Sequence, residues 1–250
     1  MNAETYYTDP RLSATEIKAF ALGGEIGYLH ARDEKDTPAM KLGRALHCAV
    51  LQPENFFKLY AEQKFDGRTK EGKAEKANAE EQGITLISSD DWKSCETAMK
   101  LHPHLQLFDT EHEYYTDTLK CKIDAYDPSS RRLVEFKSIN EIFNAEKDFW
   151  ARAYDLQLGH YNRVMEENGI EVNEAIVYFF SPSQGLATTL EIPGDKLAEF
   201  KSRAAMFADA ILARPNLRDR TENAEKAIIP AAVVGDRPVW VADREDIFLL

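Results

Sequence analysis

The chain has 250 residues, of which 44% are hydrophobic and 30% charged, and its formal net charge is -12. That length suits one large domain with a sizeable core, and the composition excludes a disordered or fibrous chain. The acidic balance argues against a simple electrostatic nucleic-acid binder, but not against an enzyme that holds metal on carboxylates and meets DNA through a local basic patch.

No apolar run approaches the roughly 18–20 residues that cross a bilayer, so no membrane partner is expected. The opening MNAETYYTDP has neither a basic n-region nor an apolar h-region, so no signal peptide is expected. Cys48, Cys95 and Cys121 are odd in number and scattered, with no CxxC pair. They do not suit a zinc or iron–sulfur site, and they fit a reducing, cytoplasmic compartment.

Along the chain, Ser13-Ala14-Thr15-Glu16 has the capping-box pattern and predicts a helix to about Tyr28. Pro38 and the apolar run AMKLGRALHCAVL predict a second helix, ending before Pro53, with a short piece ENFFKLY after it. Residues 64–83 turn polar and Gly-punctuated, a loop leading into a solvated helix. Within 64–76, five basic residues face three acids, so the segment is locally +2 in an acidic chain. ITLI reads as a strand, and Ser89 or a neighbour caps a helix to about Leu101. EHEYYTD and KCKIDAYD read as two strands joined near Asp117–Thr118; DPSS is a turn, and RRLVEFKS is the next strand. One long helix is expected from about Ala145 to Asn168, stopped by Asn168-Gly169. EAIVYFFS has the continuous apolar character of a buried central strand. LATTLEI is a further strand, and a helix from about Asp195 to Ala213 stops before Pro215; residues 216–250 are ambiguous. From Ser89 to Ser181 the order is α-β-β-β-α-β, an α/β core with a mixed sheet.

Glu135 and Lys137 interrupt the apolar strand LVEFKS and share one of its faces, because side chains at i and i+2 point the same way. A hairpin closed at Pro128–Ser130 brings Asp124 beside Glu135. Two close carboxylates stay ionised only with positive charge between them, supplied by Lys137 or by a divalent cation such as Mg²⁺. The alternative is a cross-strand ion pair on a solvent-facing sheet. His47, within Gly43-Arg44-Ala45-Leu46-His47, is a candidate ligand or an ordinary core histidine. Gln157 and Tyr161 share a helix face at i and i+4 and offer an amide and a hydroxyl, or are plain helix surface.

The ordered set G-x-x-x-H, D-x10-E-x-K and Q-x-x-x-Y resembles the PD-(D/E)XK nuclease superfamily, in its RecB-like and phage alkaline-exonuclease branch. LSATEIKAF, KLGRALHCAVLQPENF and FDGRTKEGKA are similar to the RecE (exodeoxyribonuclease VIII) nuclease-domain family. The resemblance spans about Leu12 to Ser181. It implies a single nuclease domain over 1–250 with a restriction-endonuclease-like core at about 84–192. An N-terminal helical region, 12–83, would carry the His motif, and 193–250 would be a C-terminal helix and extension.

The resemblance also implies roles. His47, Asp124, Glu135 and the main-chain carbonyl of Phe136 would be metal ligands, for Mg²⁺ or Mn²⁺ in its place, with no iron–sulfur cluster. Lys137 would be the catalytic lysine, Gln157 and Tyr161 would position the reacting groups, and Glu113 would add an outer carboxylate. Apart from the resemblance, Arg68, Lys70 and Lys73 in the basic segment are candidate DNA contacts, the alternative being a solvated loop, and Ser13 at a helix N-terminus with Arg11 is a candidate 5′-phosphate site, the alternative being plain helix capping. The implied reaction is 5′→3′ hydrolysis of one strand of linear duplex DNA, leaving 3′ single-stranded tails. It would be performed by a ring-shaped homo-oligomer with a RecT-type annealing partner, in phage or prophage recombination. Two rivals stand beside it. One is a PD-(D/E)XK endonuclease or Cas4-like nuclease, the latter disfavoured by the cysteine count. The other is a non-catalytic DNA-binding or assembly module of the same fold.

Overall fold

The structure is a computed structural model and describes residues 3–31, 37–214 and 217. The N-terminal part is helical: α1 (Ala3–Thr8), α2 (Ala14–His30), α3 (Pro38–Leu51) and α4 (Pro53–Leu59), then strand β1 (Tyr60–Glu62), α5 (Lys70–Glu81), β2 (Thr85–Ile87) and α6 (Ser89–Leu101). Their starts follow local chemistry. The Ser13 N–H and hydroxyl both donate to the Glu16 carboxylate, at 2.8 and 2.9 Å. Thr37, Thr69 and Ser88 each accept a backbone N–H from the first turn of α3, α5 and α6, which satisfies donors that a helix start leaves unpaired.

Short strands follow: β3 (Asp109–Thr110), β4 (Glu113–Tyr115), β5 (Lys120–Lys122) and β6 (Ala125–Asp127). Then come β7 (Arg132–Ser138), α7 (Ala145–Ala151), α8 (Tyr154–Glu167), β8 (Glu174–Ser181), β9 (Leu186–Ile192) and α9 (Gly194–Leu212). The principal sheet runs β3-β6-β7-β8-β9; β7 and β8 are parallel and the other pairs antiparallel, so it is mixed. The fold is therefore α/β with a mixed sheet, the class expected.

Alternation along β7 and β8 divides the core. Leu133, Ala175, Val177 and Phe179 pack with residues of α2, α8 and α9 such as Ile17, Leu158 and Phe200. Val134, Phe136, Ile176 and Phe180 pack with Leu46, Val50 and Ala98 of α3 and α6. Glu135 and Lys137 share the face of Leu133, so LVEFKS has helices over both faces and is not a solvent-facing strand.

Two expectations need correction. The long helix is broken: Ala153, at φ 51°, separates α7 from α8. A left-handed alanine costs roughly 1–2 kcal/mol and carries no turn signal; packing holds it, since Ala153 is 1% exposed. KCKIDAYD is likewise two strands. β5 pairs with β4, and the chain enters the principal sheet at β6, leaving Ile123 and Asp124 at the crossing. Of the ambiguous 216–250 segment, all but Leu217 lies outside the described residues.

Helices α8 and α9 approach closely at Gly159, where an added Cβ would lie 2.2 Å from the Phe200 carbonyl oxygen. Gly159→Ala should therefore cost about 3 kcal/mol or more of stability, read as a lower urea midpoint at unchanged slope. A second outcome concerns pH. His102 is buried among the rings of Phe136 and Tyr178, each 5.5 Å away, and neither ring nitrogen has a partner among the described residues. His160 places Nε2 2.8 Å from the Lys120 carbonyl oxygen. Burial pushes both imidazoles down to about 4. The unfolded chain, with values near 6.5, then binds more protons between those limits. Stability should be complete above about 6.5 and decline as pH falls toward about 4. His102→Phe should flatten that slope in unfolding measured across the pH range.

Candidate active site

Asp124 stands where the chain crosses from the β4–β5 ribbon into the principal sheet, and its carboxylate reaches three residues on two elements. Oδ2 accepts the Phe136 N–H of β7 at 2.8 Å. Oδ1 lies 3.4 Å from Nδ1 of His47 on α3, and the Lys137 Nζ lies 4.0 Å from Oδ2. The antiparallel pairing of Ala125 with Val134 puts Asp124 beside Glu135.

Glu135 is 1% exposed. Its Oε1 accepts from the Lys137 ammonium and from the Gln157 amide. The same amide nitrogen donates to the Tyr161 hydroxyl at 2.9 Å, one turn along α8. Glu135 Oε2 is buried and has no partner among the described residues. His47, Asp124, Glu135, Lys137, Gln157 and Tyr161 thus meet at one place, drawn from α3, the β5–β6 crossing, β7 and α8.

The charges perturb one another strongly. Burial alone would raise the Asp124 carboxyl. The His47 and Lys137 charges, with hydrogen bonds from His47 and the Phe136 N–H, hold it well below the usual range. Burial, and then the Asp124 charge, hold Glu135 above the usual carboxylate range, despite Lys137 beside it. Burial disfavours charge on Lys137, but Glu135 and Asp124 outweigh it and hold the ammonium above the lysine range. His47 is likewise held up by Asp124 against burial. Burial keeps the Tyr161 hydroxyl protonated.

Donor atoms of His47, Glu111 and Asp124 all lie within 4.8 Å of one another. One imidazole and two carboxylates are a donor set that suits a divalent cation; Glu135, expected as a ligand, is not among the three residues whose donor atoms meet within that distance. The residues therefore fit a metal. Glu111 is the carboxylate placed here, whereas Glu113 accepts the Tyr115 hydroxyl at 2.8 Å. Pairing of EHEYY with KCKID sets Glu113 opposite Lys122, and that register carried on sets Glu111 opposite Asp124; the Glu111 N–H indeed donates to the Asp124 carbonyl at 3.0 Å. The signal was present in the hairpin spacing. Glu111 is also ion-paired with Lys122.

Lys18 on α2 is a second residue that no motif identified. Its ammonium donates to Oε1 of Gln157 at 2.8 Å. Burial and the Lys137 charge push it down to about 8.

The expected DNA contacts are partly engaged. Arg11 is paired with Asp9 at 2.7 Å and stacks over Tyr115, and the N–H and hydroxyl of Ser13 are taken by Glu16. An internal carboxylate already occupies that helix start. Arg68 forks onto Asp66 in the loop before α5, while Lys70 and Lys73 are exposed on its first turn.

No family model and no curated protein matches the sequence. Solved structures do match. A protein of Eubacterium rectale with a provisional exonuclease name superposes with a TM-score of 0.57 at 15% identity, over 91% of this chain and 88% of that one. A phage-related exonuclease of Haemophilus somnus gives 0.34 at 13% identity, over 85% and 99%. The first likeness shows a shared fold.

Removing Asp124 takes the carboxylate partner from both His47 and the Phe136 N–H, while Lys137 keeps Glu135. Asp124→Ala should cost about 3–5 kcal/mol. Asp124→Asn, which keeps an oxygen for the Phe136 N–H, should cost clearly less. Urea unfolding of the two variants separates them, and equal losses would show that the hydrogen bond to Phe136 is not what anchors the residue.

Proposed function

We propose that the protein is a divalent-metal-dependent nuclease that hydrolyses phosphodiester bonds of linear double-stranded DNA from its ends. The observation that carries this reading is the convergence of Asp124, Glu135 and Lys137 on one buried point with His47, Gln157 and Tyr161 around it. A structural ion pair needs two groups; here six chemically distinct side chains from four parts of the chain share one place. The fold shared with a protein that carries an exonuclease name supports the same class.

His47, Asp124 and Glu111, with Glu135 and the Phe136 main-chain carbonyl, would hold the cation, Mg²⁺ or Mn²⁺. When bound, such a cation polarises a phosphoryl oxygen and lowers the pKa of water. Lys137, held by Glu135 and set close to Asp124, carries its charge to where negative charge grows on the phosphoryl oxygens. Gln157 fixes Glu135, and Tyr161 fixes Gln157, so the carboxylate does not turn toward the lysine alone. The Phe136 N–H restrains Asp124 in the same way.

The resemblance in motif order extends the proposal. Digestion would run 5′→3′ and leave 3′ tails, carried out by a ring of identical subunits with a RecT-type annealing protein in a bacterial cytoplasm. The basic segment of Arg68, Lys70 and Lys73 would follow the DNA backbone by charge.

With Mg²⁺, the purified protein should degrade linear duplex and spare covalently closed circles, and EDTA should stop it. Lys137→Ala should lower the rate by about 10²–10³-fold or more. Cleavage of closed circles would establish the endonuclease rival, and a rate indifferent to Lys137→Ala would remove the assigned site.

A further inference from the structure

Lys18 belongs to LSATEIKAF and lies 139 residues from Gln157 in sequence, yet the two side chains bond directly. Its ammonium stands 5.1 Å from the centre of the Tyr154 ring, and that of Lys137 stands 5.4 Å from the same ring. Two like charges thus share one aromatic platform in a largely dry setting. Repulsion and desolvation both work against this placement, while the cation–π contacts recover part of the cost.

The bond determines which way Gln157 faces. A glutamine amide has one acceptor oxygen and one donor nitrogen. A lysine ammonium can only donate, and a carboxylate can only accept. With Lys18 on one side and Glu135 on the other, a single orientation satisfies both: Oε1 toward Lys18, and Nε2 toward Glu135 and Tyr161. The reversed amide would set its NH₂ against an ammonium and its oxygen against a carboxylate.

We propose that Lys18 is a positioning residue that locks the Gln157 amide as a donor to Glu135, and so holds the Glu135–Lys137 pair in its working geometry from a helix 139 residues away. The proposal rests on the nuclease reading above. It places Lys18 behind Gln157, not on the DNA, so its loss should act on kcat and leave KM alone. Lys18→Met keeps the length and apolar stem of the side chain and removes the donor; Lys18→Arg keeps the donor.

The test is steady-state hydrolysis of linear duplex with Mg²⁺ by wild type, Lys18→Met, Lys18→Arg, Gln157→Ala and the double variant Lys18→Met/Gln157→Ala. Lys18→Met should lower kcat by about 10- to 100-fold at unchanged KM, and Lys18→Arg should recover most of it. In the Gln157→Ala background, Lys18→Met should cost less than about twofold further. An unchanged kcat in Lys18→Met, additive losses in the double variant, or a loss confined to KM would each overturn the proposal. Selective ¹⁵N-glutamine labelling gives a readout that needs no activity. The Gln157 side-chain amide signals, identified by their absence in Gln157→Ala, should shift in Lys18→Met and return in Lys18→Arg. Signals unmoved in Lys18→Met overturn the positioning role. Wild-type protein inert on every DNA substrate overturns the nuclease reading, with the amide signals still deciding the orientation claim.

Discussion

The Asp124 carboxylate is the point on which the two layers of helices close. One oxygen accepts the backbone N–H of Phe136 on β7, and the other faces His47 on α3. α3 covers one face of the sheet, while Lys137 projects from the other face. A side chain at the end of a strand can reach both sides where one inside the strand cannot. That is why the crossing between β5 and β6 matters. It leaves Asp124 out of the ladder, free to turn its oxygens toward both layers. The hydrogen bond to Phe136 then fixes that turn.

The cost of this arrangement is a surplus of buried charge. Three carboxylates, three lysines and a histidine gather around β7 and the β5–β6 crossing, and burying ions costs several kcal/mol each unless they are paired. The pairing is incomplete. Among the described residues Glu135 keeps one oxygen without a partner, and its carboxyl is held above the normal range by burial and by Asp124. A cluster designed for stability alone would replace these groups with apolar ones. The excess is what a site that accepts a cation and a phosphate would carry. The burden falls on the surroundings: the Gln157–Tyr161 bridge, the Tyr154 ring under two ammoniums, and the close α8–α9 contact at Gly159.

Much of this could be read before the structure. EAIVYFFS and LATTLEI coincide with β8 and β9, because a strand buried on both faces leaves an unmistakable apolar run and its edge neighbour is rich in strand-forming residues. The proximity of Asp124 and Glu135 followed from turn chemistry at Pro128–Ser130, which sets the hairpin register. The rest was hidden for identifiable reasons. Ala153 breaks a helix though alanine favours one, since tertiary packing and not local preference puts it in the left-handed region. Glu111 is set opposite Asp124 only once the register of the β4–β5 ribbon is carried past its end, whereas Glu113, the acid inside the strand, turns to Tyr115. Lys18 had no local signal. Its partner is set by how α2 docks, through the pairing of Leu12 with Leu119 and the Lys120 ammonium bonded to the Tyr6 and Asp9 carbonyls.

The distances along the chain give the site a history. The Glu135–Gln157 contact spans 22 residues and lies within the crossover between the parallel strands β7 and β8, whereas Lys18 and Gln157 are 139 residues apart. On a ribosome making about 5–20 residues per second, α2 emerges roughly 7–28 s before its partner helix does. During that interval Leu12, Ile17 and Ala21 have no sheet to cover them, and the amphipathic α3 with Leu46 and Val50 waits too. β7 and α8 can assemble as soon as both are out, but they then need the earlier helices to come back and close over them. For this molecule, α2 and α3 are made well before the sheet they cover, and a nascent chain must be kept soluble until they find their place.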